Sequence, residues 1–292
     1  MSQIRNQLLC VALSISAWEA RRQDKKVNTE VAQAHGTATG VGRYHKDLLP
    51  DAKEHQDILK LRNAWRVWHM DNTLPWADNG SRVIRSAAFL DYTTEYRNYK
   101  LKFEQACEEF YAVYPSLVAE AEFKLNTLFD AADYPPVEAI KHKFSCRLDT
   151  YPMPNADDFR IIEGISPEDA ERLREEAVAG LNEQVTMAIK DLWSRLHTVV
   201  SAMQTRLEVG TDGKPLKFHD TLVTNIEDLL SKVPQLNLTD DPEITTITDE
   251  MRVLIACSPT ALREYMTVRT AVAEKAKSLA ERMECWVLRF RL

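Results

Sequence analysis

The apolar positions of the C-terminal half recur at helical spacing. Leu173, Ala177, Leu181, Val185, Ala188, Leu192, Leu196, Val199, Met203 and Leu207 follow one another at roughly 3.8 residues per step, nearer an eleven-residue than a seven-residue repeat. The spacing predicts one long, fairly straight helix from Pro167 to about Glu208. Ser166 can cap it, Pro167 suits its first turn, and Glu168 and Asp169 complement the positive end of the helix dipole. A second long helix is expected from Ser258-Pro259 toward Trp286, on Leu262, Met266, Val268, Val272, Ala276, Leu279 and Met283. Between them, Leu222, Ile226, Leu229 and Leu230 mark a shorter amphipathic helix from Asp220 to Val233, preceded by the turn-like Thr211-Asp212-Gly213-Lys214-Pro215. The expected architecture is a long helical hairpin with inserted short helices.

In the first half, helices are expected near Lys25–Ala34, Asp51–Met70, Ser86–Tyr111 and Leu117–Phe129, each closed by proline, glycine or a polar cluster. Leu8–Ser16 reads as a strand, and Phe144–Tyr151 and Asp158–Ile162 read as short extended pieces among Pro135, Pro136, Pro152 and Pro154. The fold class is therefore mainly α, a helical hairpin or bundle with a small β-sheet. A composition shift near residues 133–165 suggests a helical region with strands over 1–165 and the hairpin over 166–292, within one domain or two.

Composition sharpens this reading. The chain has 292 residues, 45% of them hydrophobic, and eight glycines, so it can bury a core and lacks the breakers of β-rich folds. Five scattered cysteines, Cys10, Cys107, Cys146, Cys257 and Cys285, form neither a disulfide framework nor zinc knuckles and are expected as reduced, buried thiols. The run from Leu8 to Trp18 contains Ser14 and Ser16 and lacks a small-residue cleavage site. No stretch approaches the ~20 apolar residues of a membrane span. A cytoplasmic protein without membrane contact is expected. A net charge of −7 disfavours a dedicated nucleic-acid coat, since phosphate binding relies on clustered cations.

The chemical motifs are sparse. Thr39-Gly40-Val41-Gly42-Arg43 lacks the ending of a P-loop and the spacing of a dinucleotide turn, and reads as a loop. His35, His45, His55 and His69 lack the spacing of metal ligands, and His197 reads as the edge of a helix interface. Asp157-Asp158 and Asp240-Asp241 read as a turn and a helix cap. No catalytic elbow or Cys-His signature is present, so neither catalytic residues, nor a metal, nor a cofactor is assigned. Tyr92, Tyr96, Tyr99, Phe103, Phe110 and Tyr114 recur at helical spacing among Arg97, Lys100 and Lys102. They read as a buried face, with base stacking as the alternative.

Two segments carry interaction chemistry. Arg21, Arg22, Lys25 and Lys26 form the most compact basic cluster, either a solvated face or a contact for phosphate or an acidic partner. The segment Asp71–Arg85 sets Trp76 beside Pro75 in a turn-rich loop followed by Arg82 and Arg85. Trp76 either plugs a core opening or, with the arginines, forms a partner-binding site, since Trp and Arg dominate binding hot spots.

Several short stretches resemble a family of mainly phage-encoded helical proteins whose genes stand beside those of MoxR-type AAA+ ATPases and von Willebrand A-type partners. They are Ile15-Ser16-Ala17-Trp18 with Lys25-Lys26-Val27, the run Leu74–Arg82, Asp133-Tyr134-Pro135 and Asp158-Phe159-Arg160, all within about the first 160 residues. The resemblance implies phage origin and work alongside an ATPase, and carries no catalytic residues with it. The leading expectation is a non-enzymatic interaction or assembly protein that self-associates or serves an AAA+ ATPase. A nucleic-acid-associated accessory protein and a phage inhibitor of a host defence enzyme are the alternatives.

Overall fold

In the computed structural model, which describes residues 7–38, 40–153, 166–209 and 215–289, helix accounts for 68%. Besides three single-turn 3-10 helices, the strands and α-helices of the described residues follow in chain order: β1 (Leu8–Ser16), β2 (Arg21–Gln23), α1 (Lys25–Ala34), β3 (His45–Asp47), α2 (Lys53–Asp71), β4 (Leu74–Pro75), β5 (Arg82–Arg85), α3 (Phe89–Leu125), α4 (Val137–Lys141), β6 (Ser145–Pro152), α5 (Pro167–Leu207), α6 (Thr221–Leu236), α7 (Pro242–Ile255), α8 (Pro259–Glu264) and α9 (Met266–Arg289). The chain divides into two compact units, one of residues 1–12, 69–92 and 149–292, the other of residues 13–68 and 93–148. The division falls inside β1, α2, α3 and β6, so the units interleave along the chain, whereas the expected cut near residue 165 treats them as consecutive.

The first unit is built on α5, 41 residues long and so about 60 Å. Ser166 caps it by accepting a hydrogen bond from the Asp169 amide at 3.0 Å. Its buried side chains begin at Ala188 and continue through Leu192, Trp193, Leu196, Val200, Met203 and Leu207. The upstream part of the predicted stripe, Leu173, Ala177, Leu181 and Val185, is half-buried. Helix α9 packs along α5 with Val272, Ala276, Leu279, Ala280 and Met283 buried, and Trp286 stacks on Trp193 at 5.6 Å.

The expected single helix from Pro259 is broken at Tyr265, whose backbone is extended at φ −108° and ψ 102°. Leu262 and Arg269, on either side of the break, are both buried. Arg269 donates to the carbonyls of Leu207 at 2.9 Å, Arg206 at 2.6 Å, Leu216 at 2.6 Å and Leu262 at 3.4 Å. One guanidinium thereby satisfies carbonyls left open where α5 and α8 end. Helix α6 continues past Val233 through Pro234, and α7 is capped by Asp241, whose carboxylate accepts from the Glu243 amide at 2.9 Å, as expected for that acidic pair.

The four-stranded antiparallel sheet has the order β4-β5-β1-β6. Strand β5 pairs with β1 from Leu8↔Arg85 to Val11↔Arg82, and β4 pairs with β5 at Leu74↔Val83. Strands β1 and β6 match the two longer extended stretches anticipated. Strands β2 to β5 were not anticipated, because at two to four residues they are too short to display period-two alternation. Asp158–Ile162 lies outside the described residues.

In the second unit, α3 is one helix through Pro115, not two. Proline removes one backbone donor from the ladder, but Phe110 and Tyr114 beside it are buried, and the Ser116 hydroxyl bonds the Val113 carbonyl at 2.6 Å. Tertiary packing outweighs a local penalty of about 3 kcal/mol. The core here is aromatic. Trp65 lies against Tyr96, Tyr99 and Phe103 at 5.4, 5.7 and 6.1 Å, and Phe110 against His55, Tyr114 and Phe144 at 5.7, 5.6 and 5.7 Å.

Replacing Arg269 by alanine strands several buried carbonyls and should lower the unfolding free energy by about 3–5 kcal/mol, the loss of more than one charge-assisted bond. Arg269→Lys should recover only part of this, because an ammonium lacks the five-donor fork. Urea titration of both variants checks the ranking, and equal stabilities of Arg269→Ala and the parent chain contradict it.

Candidate functional site

The loop expected to bind a partner is turned inward. Trp76 is 7% exposed and belongs to the core of the first unit with Leu8, Leu74, Val83 and Met153. Its amide donates to the Ser81 carbonyl at 3.0 Å, and Gly80, at φ +86°, closes the turn in a conformation that favours glycine. Ser81 and Tyr151 share a short hydroxyl–hydroxyl bond. Arg85 grips Asp240 with two nitrogens at 2.5 and 2.9 Å and reaches the Asn237 carbonyl at 3.1 Å. That pairing holds the Asp240 carboxyl below its ordinary pKa. The expectation of an exposed ring flanked by free cations is thus corrected: burying the indole removes a large apolar area from water, and both arginines have intramolecular partners.

Arg82 shows where the second of those cations went. It donates to the Thr73 hydroxyl at 2.5 Å and to the Thr73 and Met70 carbonyls at 2.8 and 3.1 Å. Arg195, from α5, reaches Met70, Asp71 and Thr73 carbonyls at 3.0, 3.2 and 3.1 Å and pairs with Asp191 at 2.7 Å. Two guanidiniums therefore close the C-terminal end of α2, where open carbonyls and the negative end of the helix dipole favour cations. Burial and then the nearby Arg195 push the Arg82 pKa down.

A cleft of about 380 Å³ opens beside this clamp, between α5 and α6, lined by Asp71, Ser194, Arg195, Thr198, Val199, Asn225, Asp228, Leu229 and Lys232. Its charges already face one another: Lys232 pairs with Asp228 at 2.6 Å and Asp71 at 3.6 Å. A ligand here would meet the uncharged Ser194, Thr198 and Asn225 as its open polar contacts.

The basic cluster takes a different place. Arg21 and Arg22 lie on β2, which pairs with β3 at Arg21↔Asp47 and Arg22↔Lys46. Lys25 and Lys26 open α1, whose cap Asp24 accepts from the Lys26 and Val27 amides at 2.9 and 3.2 Å. All four cations are exposed; Arg22, Lys25 and Lys26 stand at the rim of a cleft of about 360 Å³ that also includes Glu30, Lys46, Phe129, Asp130 and Asp133.

Its floor is an ion cluster that sequence reasoning did not assign. Buried Lys46 meets buried Asp133 at 2.7 Å, Asp24 at 3.8 Å and the Leu128 carbonyl at 2.7 Å, while Arg22 adds a second cation to Asp133 at 2.8 Å. Asp133 was legible only as part of the Asp133-Tyr134-Pro135 resemblance, and no local signal marked Lys46 as its partner. Arg21, Lys25 and Lys26 make no described ion pair.

The remaining expectations resolve as packing. Tyr92, Phe103, Phe110 and Tyr114 are buried and Tyr96 and Tyr99 half-buried, so the stripe is core, not a stacking platform. His55 is buried with Nε2 at 2.7 Å from the Trp18 carbonyl, and His197 lies 3.3 Å from the Ser201 hydroxyl. The segment around Gly40 and Gly42 lines an apolar cleft of about 370 Å³ against α1, with Val31, Ala32 and Tyr44; Thr39, Asp157-Asp158 and residues 211–214 lie outside the described residues.

Cys10 and Cys107 are buried, and burial pushes their thiols up to about 11 and about 12. Cys146 and Cys257 are half-buried and Cys285 is exposed, which corrects the expectation of five buried thiols. Among the described residues, no three His, Cys, Asp or Glu side chains gather into a metal-sized group, and no helix is long and apolar enough to cross a membrane. No protein-family model, curated protein or solved structure matches the chain.

Trp76→Ala is expected to lower the unfolding free energy by about 3–5 kcal/mol, the range for emptying an aromatic core position. Thermal denaturation reads this directly, and an unchanged midpoint would return Trp76 to the surface.

A second expectation concerns pH. His69 is buried with Nδ1 2.7 Å from the Tyr92 hydroxyl, and burial, with Arg82 nearby, lowers its pKa from 6.5 to about 4. Between those values the unfolded chain takes up a proton that the folded chain refuses, so stability falls as pH drops from 6.5 toward 4, by roughly 3 kcal/mol at most. The unfolding free energy of His69→Gln should fall less steeply over that range. Parallel profiles for variant and parent would refute the assignment.

Proposed function

We propose that this protein is a phage-encoded, non-enzymatic interaction or assembly protein that works in the host cytoplasm through a second copy of itself or an AAA+ ATPase. One observation carries the reading: the buried Lys46 and Asp133 of one polar cleft and the half-buried Arg195 and Lys232 of the other are engaged with carboxylates or backbone carbonyls, whereas Arg21, Lys25 and Lys26 stand exposed without a described ionic partner. Internally paired charges hold a fold; exposed ones meet a partner. The resemblance to proteins encoded beside MoxR-type ATPases supports the choice of an ATPase.

The nucleic-acid reading keeps the rim cations and loses the aromatic stripe, whose rings face the core. The inhibitor reading rests on the acidic net charge, which a basic host enzyme would match. Immobilised full-length chain is expected to retain a purified MoxR-type ATPase from solution and to change its ATP turnover, while the chain alone hydrolyses no ATP. Steady turnover by the chain alone would make it an enzyme. Failure to retain the ATPase, together with failure to self-associate, would remove the reading.

A further inference from the structure

Two exposed faces of opposite charge stand on this chain. The first is the rim of Arg21, Arg22, Lys25 and Lys26 at β2 and the start of α1. The second lies on the N-terminal half of α5. At 100° per residue, Glu168, Glu171, Glu175 and Glu183 fall within about a third of the helix circumference, with Glu176 at its border, and all five are exposed.

This ridge runs about 22 Å along the helix, on the side opposite Leu173, Ala177, Leu181 and Val185. Arg172 stands on the same face and pairs with Asp169 at 2.9 Å, and Glu171 pairs with Arg174 at 2.8 Å, but Glu175, Glu176 and Glu183 make no described ion pair. The ridge belongs to the first unit, which holds the excess of acid in the chain; in the second unit basic and acidic residues nearly balance.

Resting on the proposed function and naming its partner, we infer that the basic rim of one copy docks on the acidic α5 ridge of a second copy. The complementarity is specific to unlike faces: rim against rim and ridge against ridge are both repulsive, so the contact is rim to ridge, made once in a head-to-tail pair or twice in a two-fold dimer. A nucleic acid fits the rim less well. It would gain few phosphate contacts, since Arg22 is shared with Asp133, and would be repelled by a chain of net charge −7. Made reciprocally the contact closes as a dimer, and repeated head to tail it closes into a ring or grows as a filament.

The test is sedimentation velocity on the full-length chain over a hundredfold range of concentration, at 50 and 500 mM sodium chloride. At low salt the sedimentation coefficient should rise with concentration, and at high salt the apparent association should weaken at least tenfold, because exposed pairs are screened. Arg21→Glu with Lys25→Glu and Lys26→Glu should sediment as a monomer, as should Glu175→Lys with Glu176→Lys and Glu183→Lys.

An equimolar mixture of the two triple variants should associate again, since each supplies the face the other lacks. Circular dichroism confirms that both variants keep their helix; a variant that loses it is replaced by the corresponding neutral one, Gln for each changed residue. A wild-type monomer throughout at 50 mM salt overturns the inference, and so does a mixture that stays monomeric. Wild-type monomer with salt-sensitive binding of a single-stranded oligonucleotide, lost in the first variant, assigns the rim to nucleic acid instead. A monomeric chain that still retains the ATPase sinks self-docking and leaves the interaction reading standing.

Discussion

Arg269 takes its partners from the backbone. Its guanidinium, buried at 3% exposure, reaches four carbonyl oxygens, at the end of α5, in the segment that follows it, and in α8. Carbonyls at a helix end have no partner within the helix, and leaving them dry is costly. The same device holds the end of α2, where Arg82 and Arg195 share the carbonyls of Met70 and Thr73. Arg66 reaches the Ile15 carbonyl at 2.7 Å and Lys124 the Pro50 carbonyl at 3.1 Å. Long helices joined by irregular connections need such cations, and Arg269, Arg82 and Arg195, used this way, are largely withdrawn from the surface.

That withdrawal shapes what the surface offers. Arg82 and Arg85, which read in sequence as a grip for a partner's carboxylates, hold α2 and the α6–α7 connection instead. Lys46 is likewise absorbed by Asp133. Among the charges that stay outside are a short basic rim in one unit and an acidic helix face in the other.

The two cores differ in kind. In the first unit aliphatic side chains of α5, α6, α7 and α9 interdigitate around Trp193 and Trp286, and Trp76 belongs to the same cluster. In the second, rings from α2 and α3 stack around Trp65 and Phe110. The aromatic spacing that suggested a stacking platform is the spacing a buried helix face requires, and the partner rings come from α2, about 30 residues earlier in the chain.

The sequence by itself determined the helical class, the start of α5 at its Ser166-Pro167 cap, the extent of α1, the strand Leu8–Ser16 and the capping role of Asp241. Each is written in local periodicity or in residues within one turn of each other, and local backbone preference is enough to decide them. Only the tertiary structure decided that α3 runs through Pro115, that the hairpin's second helix breaks at Tyr265, that Trp76 faces inward and that Lys46 and Asp133 meet. Those outcomes depend on packing and ion pairing between segments far apart in the chain: Lys46 and Asp133 are 87 positions apart, and Arg269 acts on carbonyls 53 to 63 positions earlier. A residue's neighbours in space set the cost of exposing it, and the order of residues along the chain does not list them.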